Sequence, residues 1–136
     1  MSWRALPLLA ALPLGPVACG EATGPSVARL GEPFTLGVGQ VALLEPADLL
    51  VGFAGVPVDS RCPADVTCVT AGDASVELWL RQPPSSRETR VLHTDLRAGE
   101  RAEYEGFEIQ LLSLEPAPRS DTVLERSAYR AGLLVR

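Results

Sequence analysis

The sequence predicts an all-β fold, built as a single antiparallel β-sandwich or small β-barrel of about seven strands. Apolar residues recur at every second position in most runs after Pro33, and clusters of turn residues separate these runs. No window carries a helical apolar stripe long enough for a stable helix, although 120–127 could hold one turn. These observations place the β domain at 33–136.

Each strand is predicted from the alternation of apolar and polar residues within its own run. In 76–81, Val76, Leu78 and Leu80 face one way and Trp79 faces the other. Trp79 is therefore either an exposed binding aromatic or a core residue of a second sheet. The remaining runs are 34–39, 49–54, 88–96, 107–114 and 129–135.

Three of these runs have features of their own. Both faces of 49–54 are apolar, which predicts a well-buried strand. The run 88–96 is more polar and predicts a strand at a sheet edge. Between Leu111 and Leu112 the apolar phase changes, which predicts a bulge or a strand that passes from one sheet to another.

The N-terminus has the pattern of an export signal, predicted to span 1–18. Arg4 supplies a positive charge, and 5–14 is almost wholly apolar. About ten apolar residues are too few to cross a bilayer, which requires roughly twenty. The stretch 16–19, Pro-Val-Ala-Cys, resembles the lipobox of bacterial lipoproteins, with Pro16 where leucine is usual. An ordinary secretory signal cleaved after Gly20 and an uncleaved anchor are the alternatives.

The lipoprotein resemblance implies that Cys19 is acylated and becomes the first mature residue. Acyl chains on Cys19 would then bind the membrane. Gly20 stands where an Asp would resemble an inner-membrane retention signal, so the resemblance favours export to the outer membrane. The segment 19–32 has no apolar period and predicts a flexible tether after the acylated cysteine.

Assigning Cys19 to lipid leaves two cysteines, Cys62 and Cys68. In an oxidising compartment they are expected to pair, closing a seven-residue loop that contributes roughly 2.4 kcal/mol through chain entropy. A zinc site would need ligands that the chain hardly offers beyond His93 and carboxylates, and a redox pair normally has CxxC spacing. A structural disulfide is the favoured interpretation.

The charge distribution disfavours nucleic acid as a partner. All twelve cationic residues are arginines, and without Arg4 the chain has eleven arginines against seventeen acidic residues, a net charge of −6. An acidic chain without a basic stripe binds polyanions poorly. Anionic lipid headgroups would also repel it, which predicts that the acyl chains are its only membrane-binding element.

The run 59–72 is the most distinctive part of the sequence. It reads D-S-R-C-P-A-D-V-T-C-V-T-A-G and resembles a group of small uncharacterised bacterial lipoproteins with the pattern D-S-R-C-P-x-x-V-x-C-V-W-A-G. The resemblance extends over about 33–135 of this chain. Thr70 stands where the group has tryptophan. The resemblance implies exported, lipid-anchored proteins and no particular activity.

Three interpretations of this loop are open. It could be a rigid structural corner, since Asp59 and Ser60 can accept local backbone hydrogen bonds and Pro63 fixes φ. It could be a recognition loop, with Asp59, Ser60, Arg61, Asp65 and Thr70 as the contacting residues. A calcium site that uses Asp59, Asp65 or Asp73 is the third interpretation, although these residues match no known calcium loop.

Recognisable catalytic motifs are absent from the sequence, which predicts no cofactor and no metal. His93 is the single histidine, in an expected strand with no nucleophile nearby in sequence. The acidic run of Glu100, Glu103, Glu105 and Glu108 is either a solvated hairpin or an acid/base pair of a carboxylate-dependent hydrolase.

The expected function is a non-enzymatic β domain on a lipid anchor that binds an unidentified ligand. Its partner would be an envelope protein or an exported enzyme. The alternative is a small inhibitor of an exported enzyme such as a protease, which uses the disulfide-closed loop as a rigid wedge.

Overall fold

Two β-sheets pack face to face in the computed structural model, which describes Gly15 and residues 24–136. Nine strands form them: β1 (Ser26–Arg29), β2 (Phe34–Gly37), β3 (Val41–Glu45), β4 (Leu49–Asp59), β5 (Ala74–Arg81), β6 (Glu88–His93), β7 (Arg101–Tyr104), β8 (Phe107–Glu115) and β9 (Arg130–Val135). The five-stranded sheet has the order β1-β3-β4-β5-β6, and the four-stranded sheet has the order β2-β9-β8-β7. The prediction of a sandwich is confirmed, and the described strands do not close into a barrel.

The core lies between the sheets and follows from the period-two pattern. Inward side chains of both sheets are buried while their neighbours face solvent. Burial of each large aliphatic or aromatic side chain contributes about 1.5–3 kcal/mol. The fully buried large side chains include Leu36, Leu44, Leu49, Val51, Phe53, Val76, Leu78, Leu80, Leu92, Ile109, Leu133 and Val135.

The prediction of a tether from 19 to 32 is wrong for its second half. Ser26–Arg29 is an edge strand that pairs in parallel with β3, so the sandwich is not wholly antiparallel. Ala28 and Leu30 pack against the core, and the Leu30 amide donates to the Glu45 carbonyl. A four-residue strand with one polar and one cationic end carries too little alternation to be detected by period alone.

Other predictions on the strands are confirmed. The register between β8 and β9 shifts between Leu111 and Ser113, where the apolar phase changes. β6 lies at the edge of its sheet. A single 3₁₀ turn, Arg126–Ala128, falls at the end of the segment expected to hold one turn.

The predicted lipidation site, Cys19, lies outside the described residues, as does the predicted signal peptide apart from Gly15. In the part of the chain that is described, no helix has the length and apolar character needed to cross a membrane.

Trp79 lies on the outer face of the five-stranded sheet, so its interpretation as a second-sheet core residue is wrong. It is opposite Gly52 of β4, and a Cβ on Gly52 would overlap the indole ring. The Arg87 guanidinium lies 3.7 Å from the ring centroid. The ring therefore lies flat between the β4 backbone and a cation, an arrangement that stabilises both groups.

We predict that Gly52→Ala lowers the free energy of unfolding by about 1–3 kcal/mol, because the new methyl group displaces the indole ring. Urea unfolding measures the change, and the fluorescence of Trp79 should shift with it. When Trp79 is replaced by alanine, Gly52→Ala should lower the free energy of unfolding much less. An equal penalty in both backgrounds would show that the ring is not what excludes a side chain at position 52.

Candidate recognition surface at the disulfide loop

The loop 60–73 extends the β4–β5 ladder beyond the ends of both strands. The Ser60 amide donates to the Asp73 carbonyl at 2.7 Å, and the Cys62 amide donates to the Ala71 carbonyl at 2.8 Å. Cys62 and Cys68 form a disulfide with their Cα atoms 5.9 Å apart, which confirms the predicted pairing. The backbone ladder and the disulfide together hold the base of the loop.

Arg61 joins this loop to the opposite sheet. Its Nε and Nη2 donate to the two carboxylate oxygens of Asp59 at 2.9 and 2.8 Å. Nη1 donates to the Leu114 carbonyl at 2.8 Å, and Nη2 also donates to the Pro116 carbonyl at 3.0 Å. Tyr129 donates its hydroxyl to Asp59 at 2.8 Å. We call Asp59, Arg61 and Tyr129, with the two carbonyls, the arginine knot.

The arginine knot is mostly shielded from solvent, with side-chain exposures of 13% for Arg61 and 12% for Asp59. Burial opposes ionisation of Asp59, but hydrogen bonds from Arg61 and Tyr129 outweigh it and hold the pKa of the carboxyl below its ordinary value. The hydrogen bond with Asp59 raises the pKa of Arg61. Burial and the bond to Asp59 raise the pKa of Tyr129. The knot is therefore a fixed ion pair with a neutral phenol.

A second attachment holds the tip of the loop. The Ser120 amide donates to Asp65 at 2.9 Å, and the Ser120 hydroxyl donates to the other carboxylate oxygen. These hydrogen bonds lower the pKa of Asp65. The Ala64 amide donates to the Pro118 carbonyl at 2.8 Å. The segment after β8 therefore holds the tip of the loop through its contacts with Ala64 and Asp65.

Asp73 and His93 form a third contact, which sequence reasoning did not predict. His93 Nδ1 lies 2.7 Å from Asp73 Oδ2, and the Asp95 amide donates to Asp73 Oδ1 at 2.9 Å. Burial opposes ionisation of Asp73, but the bonds from Asp95, His93 and Thr94 prevail and lower its pKa. In the described chain, no hydroxyl or thiol hydrogen-bonds to the His93 ring.

The structure does not bring together the three aspartates that the calcium interpretation considered. Asp59, Asp65 and Asp73 each bind a different set of protein donors and do not converge. Over residues 24–136, no group of three or more His, Cys, Asp and Glu side chains is placed to hold a metal ion.

Around the loop, aliphatic side chains face solvent. Val69 is fully exposed, Leu96 is 72% exposed and Leu112 is 46% exposed. They border two adjoining depressions that share Thr94 and Leu96. We call this area the loop-end surface, defined by Ser60, Val69, Thr70, Leu96 and Leu112.

The structure separates the five residues that the sequence suggested for recognition. Asp59 and Arg61 face each other in the arginine knot, and Asp65 binds Ser120. Ser60 and Thr70 line the loop-end surface. Leu96 and Leu112 were not predicted as part of it, because only the fold brings them next to the loop. The one signal in the sequence was Leu112, an apolar residue that breaks the period-two pattern of its strand.

The acidic run lies on the hairpin of β7 and β8. Glu103 pairs directly opposite Glu108 in the strand register, and Glu108 accepts from Arg136 at 2.7 Å. Glu100 lies 3.4 Å from Arg101. The side chains of this hairpin fit the solvated interpretation.

Comparison of the chain with protein-family models, with curated proteins and with solved structures gives no match.

We predict that Arg61→Lys lowers the free energy of unfolding by about 2–3 kcal/mol, because one ammonium group cannot replace the fork that binds Asp59 and two carbonyls together. Chemical denaturation measures the change. Arg97→Lys in the neighbouring turn serves as the control and should unfold with the wild-type midpoint. A wild-type midpoint for Arg61→Lys would contradict the proposed role of the fork.

Asp59→Asn should produce a pH-dependent loss of stability. Because folding lowers the pKa of Asp59, its ionised form stabilises the protein above the ordinary aspartate pKa of 3.8, and this contribution disappears as the pH falls through the folded value. We expect the variant to be less stable by about 1–3 kcal/mol at neutral pH. The deficit should shrink below pH 3.8.

Denaturant titrations at neutral and acidic pH test this dependence. Asp121→Asn is the control, because Asp121 is 65% exposed and its partner Arg119 is also at the surface. A deficit for Asp59→Asn that stays constant down to the acidic limit would contradict the pKa assignment.

Proposed function

We propose that this protein is a lipid-anchored envelope protein whose β domain is a binding module for another envelope or exported protein. The loop-end surface would make the contact. The observation that carries the proposal is a group of exposed aliphatic side chains, Val69, Leu96 and Leu112, on a frame fixed by a disulfide and the arginine knot.

The lipid anchor is supported by the lipobox resemblance of 16–19 and by the Cys62–Cys68 disulfide. Structural disulfides are typical of proteins exported to oxidising compartments. Intact-mass analysis of the mature protein tests the anchor. We expect a chain that begins at Cys19 and carries acyl chains. An unmodified chain that begins at Glu21 would contradict it.

The proposed contact fits the physical requirements of a protein interface. Large exposed apolar side chains surrounded by polar groups are typical of surfaces that bind other proteins. Because the loop is already held in place, little conformational entropy remains to be lost on binding. The net charge of −6 expected for the mature chain disfavours nucleic acid as the partner.

Site-specific photo-crosslinking in living cells tests this surface. A photoreactive amino acid at Val69 or Leu96 should give a discrete adduct with one envelope or exported protein. The same residue at Val123 is the matched control, since Val123 is 89% exposed and lies off the loop-end surface. Adducts that are as strong at position 123, or no adduct at positions 69 and 96, would contradict the proposed surface.

An inhibitor of an exported protease is the second candidate, and one observation favours it. Residues 64–71 are all exposed, and the disulfide fixes the ring from which they project. Such a loop could enter an active-site cleft as a rigid wedge. Stoichiometric inhibition of one protease in a panel of secreted enzymes, lost when the loop is cut, would support this function. Failure to inhibit any of them would leave the binding module as the better explanation.

A further inference from the structure

The outer face of the five-stranded sheet is unusually apolar for a solvent-facing surface. Val27, Leu43 and Leu50 are aligned across β1, β3 and β4, and the next row carries Val41 and Trp79. Val27 is 65% exposed, and the other four side chains are partly exposed. These five residues form a continuous band, which we call the apolar face.

Arginines surround the apolar face. Arg81 continues the row of Leu50, Arg29 follows Val27 on β1, and Arg87 covers the Trp79 ring. Within residues 24–136, none of these three arginines forms an ion pair with a carboxylate. The carboxylates on the same outer face are Glu45, opposite Arg29, and Glu77, opposite Val91.

The outer face of the other sheet has a different character. Glu103 and Glu108 lie opposite each other there, and Arg101 and Arg136 both lie within salt-bridge distance of Glu108. The two outer faces therefore differ in both apolarity and charge pairing. One is apolar with unpaired arginines at its margin, and on the other Arg101 and Arg136 are paired with Glu108.

An acyl anchor on Cys19 would limit the distance between the five-stranded sheet and the membrane. Ser26 begins β1 seven residues after Cys19, and seven residues span at most about 24 Å when fully extended. β1 is the edge strand of the sheet that carries the apolar face. An acyl anchor on Cys19 would therefore keep this sheet within a short distance of the lipid headgroups.

We propose that the apolar face lies on the headgroup layer of the bilayer that anchors the chain. This inference rests on the lipid anchor of the proposed function. Tryptophan rings settle at the headgroup level because they are apolar bodies with one polar N–H group. Arg29, Arg81 and Arg87 are placed to pair with lipid phosphates. The tether supplies a high effective concentration, so weak contacts are sufficient.

This orientation revises the expectation that the acyl chains are the only membrane-binding element. The net negative charge is an average over the chain, whereas three arginines and two glutamates lie around the apolar face. The loop-end surface lies beyond the ends of β4 and β5 and not on the apolar face. A domain that lies flat on the membrane therefore leaves the loop-end surface open to a partner.

Fluorescence quenching tests the orientation directly. The chain has two tryptophans, Trp3 and Trp79, and cleavage before Cys19 would leave Trp79 alone. The mature protein, purified from cells that export it, is incorporated into vesicles of phosphatidylethanolamine and phosphatidylglycerol that contain phosphatidylcholine with a doxyl group near the headgroup. We expect Trp79 emission to be quenched in these vesicles and not in vesicles without the doxyl lipid.

Variants make the test specific to the apolar face. Val27→Glu places a charge among the aliphatic side chains and should reduce the quenching at least about twofold. Val123→Glu introduces the same charge at a more exposed site, and Trp79 emission in this variant should be quenched as strongly as in the wild type. Urea unfolding of both variants verifies that each domain is folded. Equal quenching in the wild type and Val27→Glu would overturn the proposal.

Flotation of the vesicles separates the two possible failures. If the protein does not float with the vesicles, the lipid anchor is absent and the proposed orientation fails with it. If the protein floats but Trp79 is unquenched, the anchor stands and the orientation alone is wrong.

Discussion

The arginine knot is the interaction on which the position of the disulfide loop depends. One guanidinium holds the carboxylate at the end of β4 and two backbone carbonyls at and after the end of β8. Tyr129, just before β9, completes the contact through Asp59. The Leu114 and Pro116 carbonyls thus each accept a hydrogen bond from a charged donor. Such bonds replace the strand-to-strand hydrogen bonds that these shielded backbone groups lack. The disulfide closes the ring, the knot ties its base to the end of β8, and the Asp65–Ser120 contact ties its tip to the segment that follows.

The sequence was sufficient for the parts of the fold that period-two burial controls. The strands around Phe53, Leu78 and Leu133 alternate clearly, because each must present one face to the core. β1, β3 and β7 were not predicted, since each has only four or five residues and few inward side chains. Their position is decided by pairing with a neighbour, which is a tertiary effect that a single short segment does not encode.

At the candidate site, only the contacts between residues close in sequence could be predicted. Cys62, Cys68 and the Asp59–Arg61 contact lie close in sequence, and their chemistry can be inferred from spacing. Tyr129, Leu96 and Leu112 reach the site only through the packing of the sheets. Trp79 shows the same limit. The alternation of its strand indicated that Trp79 points away from Val76, Leu78 and Leu80, but it did not indicate that Arg87 covers the ring. The loop-end surface and the apolar face are both products of sheet packing.

The most direct test of the arginine knot is amide hydrogen exchange at the base of the loop. The Cys62 and Ala64 amides, which donate to the Ala71 and Pro118 carbonyls, should exchange within about tenfold of the Leu80 amide in β5. In Arg61→Lys, the protection of Ala64 should fall sharply while that of Leu80 changes little. Fast exchange of both loop amides in the wild type, or unchanged protection in the variant, would contradict a loop fixed by Arg61.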